Sequence, residues 1–384
     1  MNKMKKLKLI ALSLCLLFSL TACKTDTPAS GEAENEAVTP KTQTVSMVVL
    51  GDNLMHMPVV NDGKNADGSY DYSRVFSQLT NDIKGADIAV IGQETVLGGE
   101  ELGLSGYPLF NSPYGVGDSL VKEGFDVILH ASNHIMDRNI KGIENTLAFW
   151  EKYPEITVLG INNSKEEQET VKIIERGGIT FALLNYTYST NGIPVPQGRE
   201  YMVNMLDRDK IKEDITSVDG KVDFVVVFPH WGNEYQMTAS QEQMSLAKDM
   251  CLWGADAIIG SHPHVIEPCE WIESENGNRC VVYYSLGNFV SRQKEVKNLL
   301  GGMASLEFKK SGGEKSVTAK FTPIVTHYDY NSRNFVVYRL GDYTNDLASG
   351  HGINLYDGTL TAERYREIFE SVIPSAPEGI TVDL

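Results

Sequence analysis

Positive charge is what this sequence has too little of: 34 Lys and Arg stand against 51 Asp and Glu, a formal net charge of −17. So acidic a chain is repelled by nucleic acid and by anionic lipid headgroups, which excludes both as general partners. An anionic substrate would need a local positive centre. Cysteine is scarce as well, 5 in 384 residues, and the spacing of Cys251, Cys269 and Cys280 matches no zinc ribbon. Internal repeats are absent, which excludes a solenoid. The apolar run from Leu9 to Leu20 is short for a membrane span. With 42% hydrophobic residues the chain can nevertheless bury a large core.

What is present begins with an address. Lys3, Lys5, Lys6 and Lys8 precede the apolar run, in the order of a secretory signal peptide. Leu20-Thr21-Ala22-Cys23 resembles the bacterial lipobox, which implies cleavage before Cys23 and a lipid anchor on that residue. Residues 1–22 are therefore expected to be a lipoprotein signal peptide. Residues 23–43, rich in Thr, Ala, Pro and Glu, are expected to be a flexible tether, and the cell membrane's extracytoplasmic face is the expected location. Three cysteines then remain, an odd number for an exported chain. Cys269 and Cys280 flank a hairpin turning at Asn276-Gly277. A two-residue turn there would set Cys280 opposite Glu273, so a disulfide between them needs a longer loop.

From Val45 onward, short apolar runs end again and again in ligand-type residues. Val45–Leu50 leads to Asp52 and His56, Asp87–Ile91 to Glu94, and Phe125–Leu129 to Asn133, His134 and Asp137. Val222–Phe228 leads to His230, Trp231 and Glu234, and Ala257–Ile259 leads to Gly260-Ser261-His262-Pro263-His264. Such runs read as buried strands, and polar loops at their carboxyl ends are where open α/β sheets keep ligands. If the strands share one sheet, all these side chains reach one edge. Mixed oxygen and imidazole donors without thiolate suit a pair of divalent ions such as Mn, Fe or Zn, which would supply the missing positive centre. Between the strands, Tyr72–Ile83 shows helical spacing with Ser73 as its cap. Ser240 with Gln243 forms a capping box for a helix over Gln241–Trp253, and Arg176-Gly177-Gly178 turns a hairpin. The Gly- and Pro-rich stretches Leu97–Gly117 and Tyr186–Tyr201 are candidate rims. After Cys280 strands follow without helices, until a last amphipathic helix over Thr361–Val372 and a tail after Pro374 expected to be solvent exposed.

Taken together, Gly51-Asp52 with His56, Gln93-Glu94-Thr95, Ser132-Asn133-His134 with Asp137, His230-Trp231-Gly232 with Glu234, the double-His loop and Ser285-Leu286-Gly287-Asn288-Phe289 resemble the CapA-like family, associated with poly-γ-glutamate capsule synthesis and placed in the calcineurin-like metallophosphatase superfamily. That resemblance implies an α/β fold, a four-layer αββα sandwich with mixed sheets and outer helices. It implies a domain over 44–326 and a C-terminal extension over 327–384. It also implies two divalent metal ions on Asp52, His56, Glu94, Asn133, His230, His262 and His264. His134 falls where the superfamily has its acid, with Asp137 placed to orient it; Glu234, Trp231 and Asn288 are candidates for contact with substrate or with the ligands. Two departures stand out: His56 lies four residues after Asp52 instead of two, and Glu94 replaces an aspartate. The expected function is metal-dependent hydrolysis of a phosphoester or polymer amide bond in cell-surface polymer biosynthesis, with other capsule-synthesis membrane proteins as partners. The alternative is a non-catalytic accessory protein that binds or exports poly-γ-glutamate or another anionic polymer, and turnover distinguishes the two.

Overall fold

The computed structural model describes residues 42–384; the expected signal peptide, Cys23 and nearly all of the tether lie outside the described residues. Strands β1 (Gln43–Asn53), β2 (Ile88–Gly92), β3 (Val127–Leu129) and β4 (Thr157–Leu159) are parallel neighbours. β2 and β3 are buried along their whole length, which is why they read as unbroken apolar runs. A second sheet collects β5 (Lys172–Arg176), β6 (Ile179–Thr187), β7 (Phe224–His230), β8 (Ala257–Ile259), β9 (Cys269–Glu273) and β10 (Arg279–Tyr283) in the order β5-β6-β7-β8-β10-β9. The chain then returns to the first sheet. There β11 (Asn288–Val290) pairs with β1, and β12 (Leu300–Ser311), β13 (Glu314–His327), β14 (Val336–Arg339) and β15 (Ile380–Val382) extend it.

Alternation along β6 and β7 shows how the layers form. Phe181, Leu183, Phe224 and Val226 face the core shared with the first sheet. The rings of Phe181 and Phe224 meet Phe308 of β12 with centroids 5.0 and 4.9 Å apart. Each such burial contributes about 1.5–3 kcal/mol, so this aromatic seam is a large part of what joins the sheets. Ala182, Leu184, Val225 and Val227 face the other way, against Ile211 and Ile215 of the helix Arg208–Ser217 and Leu246 and Met250 of the helix Gln241–Trp253. The helices Gly115–Glu123 and Asn139–Trp150 supply Leu120 and Phe149 to the core of the first sheet. The fold is a mixed α/β sandwich of two mixed sheets with helices outside, as the resemblance implied.

Several expectations need correction. The ligand-bearing strands do not share a sheet: β1 to β3 lie in one, β7 and β8 in the other. Period-two burial of β6 and β7 on both faces requires the second sheet to pack against the first. Tyr72–Ile83 is two short helices, Ser73–Phe76 and Thr80–Gly85, with Ser73 inside the first turn instead of capping it. Val75, Phe76, Leu79 and Ile83 are still all buried, so the apolar face survives the break. The tail after Pro374 is not free: β15 runs parallel to β13, with Ile380 buried. The capping box at Ser240 and Gln243 and the Gly177-Gly178 hairpin are both formed.

Burial also makes stability depend on acidity. His130 lies under the helix Asn139–Trp150, where its Nε2 accepts a 2.8 Å hydrogen bond from Trp150 Nε1, and burial pushes its pKa down to about 3. A depressed histidine contributes stability above its unfolded value that is lost as pH falls below it. Replacing His130 with Gln, which keeps an acceptor for Trp150 but cannot titrate, should flatten the loss. Denaturation at pH 6.5 and 5.0 should show the wild type losing about 1.6 kcal/mol more than the variant across that interval; parallel profiles would contradict this.

Candidate metal centre

Parallel strands from two facing sheets bring their carboxyl ends to one edge, and the ligand-type residues sit there. Asp52 lies within the end of β1, Glu94 two residues after β2, and Asn133 and His134 in the loop after β3. Across from them His230 ends β7, and His262 and His264 follow β8. The approach is close enough to demand glycine: a Cβ at Gly260 would collide with the Tyr284 carbonyl and the Trp231 ring, and one at Gly51 with the Gly287 carbonyl. His262 and His264 adopt φ of 103° and 58°, a left-handed backbone that costs on the order of 1–3 kcal/mol per residue. Asp52 offsets part of that cost, since its Oδ2 accepts the His262 N–H at 2.9 Å. Pro263 lies between the two strained residues and restricts the loop further.

The side chains meet in a buried space. Asp52, Glu94 and His264 offer ligand atoms within 4.8 Å of one another, as do Glu234, His262 and His264. Glu94 Oε1 lies 3.6 Å from His264 Nε2, and Asp52 Oδ1 and Oδ2 lie 3.7 Å from Nδ1 of His230 and of His264. His230 Nε2 is 3.0 Å from Asn133 Oδ1. Glu94 is 1% exposed, yet neither of its carboxylate oxygens has a hydrogen-bond partner; Asp52 Oδ1 and His262 Nδ1 are buried and unpartnered too. Buried polar groups left bare in this way are rare, and four such atoms around one space fit a divalent cation.

Ionisation points the same way. Burial pushes Asp52 up to about 7, and raises Glu94 well above its ordinary value with the Asp52 charge adding to the effect. Burial likewise holds His230 and His264 well below the usual imidazole value, and lowers His262 to about 3. The imidazoles are thus neutral, the form that binds a metal, while the carboxylates lack the positive charge that would keep them ionised. The donor set therefore fits a divalent cation.

The other predicted residues divide. His134 Nδ1 lies 2.7 Å from Asp137 Oδ2, which also accepts the Phe110 N–H at 2.7 Å. The helix that follows is capped at Arg138 without a side-chain bond, so Asp137 orients His134 instead of capping the helix. Asn288 Oδ1 lies 3.0 Å from His264 Nδ1, a contact that fixes the ring and turns Nε2 toward Glu94. Glu234, exposed, stands at the rim beside His262 and His264. Trp231 is not placed to meet substrate: it is 3% exposed, packs on Tyr284 and donates to its carbonyl at 2.9 Å. His56 joins neither cation group; its Nδ1 accepts the Arg292 N–H at 3.2 Å and its ring packs edge-on against Phe110. Three contacts were not foreseen. Ser261 Oγ lies 3.0 Å from His230 Nδ1, Asn191 Oδ1 accepts from Asn133 Nδ2 at 3.2 Å, and the half-exposed ring of Tyr188 covers His262 at 4.5 Å. The only sequence signal for Asn191 and Tyr188 was their position in the Tyr186–Tyr201 rim.

Between the sheets, strand ends gather two groups of side chains whose donor atoms could hold a metal ion. The family model for the bacterial capsule synthesis protein PGA_cap matches residues 46–293, a span holding every candidate ligand, and the chain belongs to that family. It is similar to the PGA biosynthesis protein CapA of Bacillus subtilis (strain 168), 33% identical over 216 residues, which cover 53% of this chain and 51% of that protein. It is also similar to the capsule biosynthesis protein CapA of Bacillus anthracis, 30% identical over 197 residues, 50% of this chain and 46% of that one. The chain thus spans about half the length of the curated relatives it matches. Among solved structures, the calcineurin-like phosphoesterase YfkN from Bacillus subtilis aligns over 87% of this chain and all of that one, with 15% identity and a TM-score of 0.44.

Glu94 gives the sharpest test of the centre. Glu94→Gln removes a buried carboxylate without changing its size, so in chelator the variant should melt at or above the wild-type temperature. Added Mn²⁺ should raise the wild-type melting temperature and leave the variant unmoved; an equal rise in both would exclude Glu94 as a ligand.

Proposed function

We propose that this protein is a divalent-metal-dependent hydrolase that cleaves a phosphoester or amide bond of an acidic cell-surface polymer or its precursor. Asp52, Glu94, Asn133, His230, His262 and His264 would hold the metal. Bound there, divalent ions supply Lewis acidity and the positive charge that an acidic chain lacks for an anionic substrate. The observation that carries the proposal is the cluster of buried, unpartnered carboxylate oxygens on Asp52 and Glu94 beside neutral imidazoles, with a histidine–aspartate pair at its margin.

The chain's own residues have distinct tasks. Asp137 accepts a hydrogen bond from Nδ1–H of His134, which sets the tautomer and leaves Nε2 to carry and deliver a proton to the leaving group. His134 follows Asn133, whose Oδ1 is 3.0 Å from His230 Nε2, so that proton is held beside the donor cluster. Asn288 and Ser261 orient the rings of His264 and His230 from behind. Tyr188 over His262 and Tyr235 near His264 give the rim two half-exposed aromatic faces for the uncharged parts of a substrate. Family membership supports a role in capsule-type polymer biosynthesis. The basic start, the apolar run and Leu20-Thr21-Ala22-Cys23 support attachment to the membrane's outer face through a lipid on Cys23.

Hydrolysis of an activated phosphoester such as p-nitrophenyl phosphate, and of γ-glutamyl polymer, separates catalysis from mere binding. With the metal-loaded protein, His134→Ala should lower kcat by about 10²–10⁴-fold while metal content stays at the wild-type level. Turnover undetectable in the wild type on both substrates, with polymer still bound, would replace hydrolysis by the accessory role.

A further inference from the structure

Among the described residues Cys251, Cys269 and Cys280 are all free and buried, but they do not occupy equivalent places. Cys269 faces the core between the two sheets, whereas Cys251 and Cys280 belong to the cluster on the outer face of the second sheet. The ladder between β9 and β10 sets Cys280 opposite Ile272 and Cys269 opposite Tyr283. Ser274 to Asn278 form a turn longer than two residues, which gives this register. Cys269 and Cys280 therefore lie on opposite faces and cannot bridge.

Cys251 comes to the same spot from the helix Gln241–Trp253. Its Sγ lies 3.8 Å from the carbonyl of Ile272, the residue opposite Cys280, and 3.4 Å from the carbonyl of Asn278. Cys280, directly opposite Ile272 on the ladder, packs in the same outer-face cluster as Cys251. Asn278 and Asn276 donate to the carbonyls of Cys251 and Leu252 at 3.3 and 3.0 Å, so the hairpin turn is tied to the end of the helix. Cys251 also lines a cavity of about 290 Å³ with Lys248, Leu252, Ile272 and Ser274. Cys280 does not reach that cavity.

We propose that Cys251 and Cys280 are a covalent cross-linking site, closed by exchange with a small disulfide that enters through this cavity. The sulfur of Cys251, as thiolate, attacks one sulfur of the incoming disulfide; that S–S bond breaks and one thiol leaves. Cys280 gives up its proton and attacks the Cys251 sulfur of the mixed disulfide, and the second thiol leaves. Two protein thiols are oxidised, one external disulfide is reduced to two thiols, and the two protons depart with them. The order follows from access, and the neighbouring Cys280 thiol lowers the pKa of Cys251 while burial raises that of Cys280. The product staples the helix preceding the double-His loop to the β9–β10 hairpin. Among the described residues the three cysteines then become one pair and one buried spare, Cys269.

The test uses the full chain, reduced, freed of reductant, and incubated with oxidised glutathione before alkylation and peptide mapping. The peptide holding Cys251 should be found disulfide-linked to that holding Cys280, with Cys269 alkylated. Melting temperature should rise by on the order of 5 °C. Cys269→Ala should retain the link and the rise, and Cys280→Ala should lose both and keep glutathione on Cys251. A wild-type map in which Cys251 and Cys280 are both alkylated, or in which either is joined to Cys269, overturns the proposal.

Discussion

Two carboxylates with almost no access to water and almost no hydrogen-bond partners dominate this molecule. Burying an ionised carboxylate without compensation costs several kcal/mol, and protonating it removes the cost but also the charge. Asp52 retains one backbone N–H, from His262, and Glu94 retains none. Placed against three neutral imidazoles, the two carboxylates form a donor set that fits a divalent cation.

The scaffold shows what it takes to hold such a group together. Ligands from opposing sheets converge because glycines at 51 and 260 let the backbones approach and because His262 and His264 accept left-handed backbone. Two of the three imidazoles are then fixed from behind, His230 by Ser261 and His264 by Asn288. The aromatic seam of Phe181, Phe224 and Phe308 lies deeper in the same interface and keeps the two sheets in register. The C-terminal segment belongs to this framework: β14 and β15 both pair with β13. Rigidity of this kind suits a site whose parts come from chain positions as far apart as 52 and 264.

Much of the candidate site was legible because its donor residues terminate strands, and strands buried on both faces announce themselves as apolar runs. Asp52, Glu94, Asn133, His230, His262 and His264 could be placed at an edge from that pattern alone. Which sheet each strand joined could not be read, since short apolar runs carry no record of their neighbours. His56 stands apart from both donor groups for a related reason: four residues beyond Asp52, it packs on Phe110 and accepts the Arg292 N–H, a partner 236 positions away. Asn191 and Tyr188 were visible only as members of a Gly- and Pro-rich loop, because irregular backbone has no period from which to infer direction. The tail strand β15 was missed because its one buried position, Ile380, is too little to signal pairing with β13.

The central claim is that this edge grips a divalent cation between the two sheets. Crystals of the protein grown with Mn²⁺ and measured at a wavelength where manganese scatters anomalously test it directly. Anomalous density should lie within bonding distance of Asp52, Glu94 and His264. Density absent there, with both Glu94 oxygens hydrogen-bonded to water or protein instead, would contradict it.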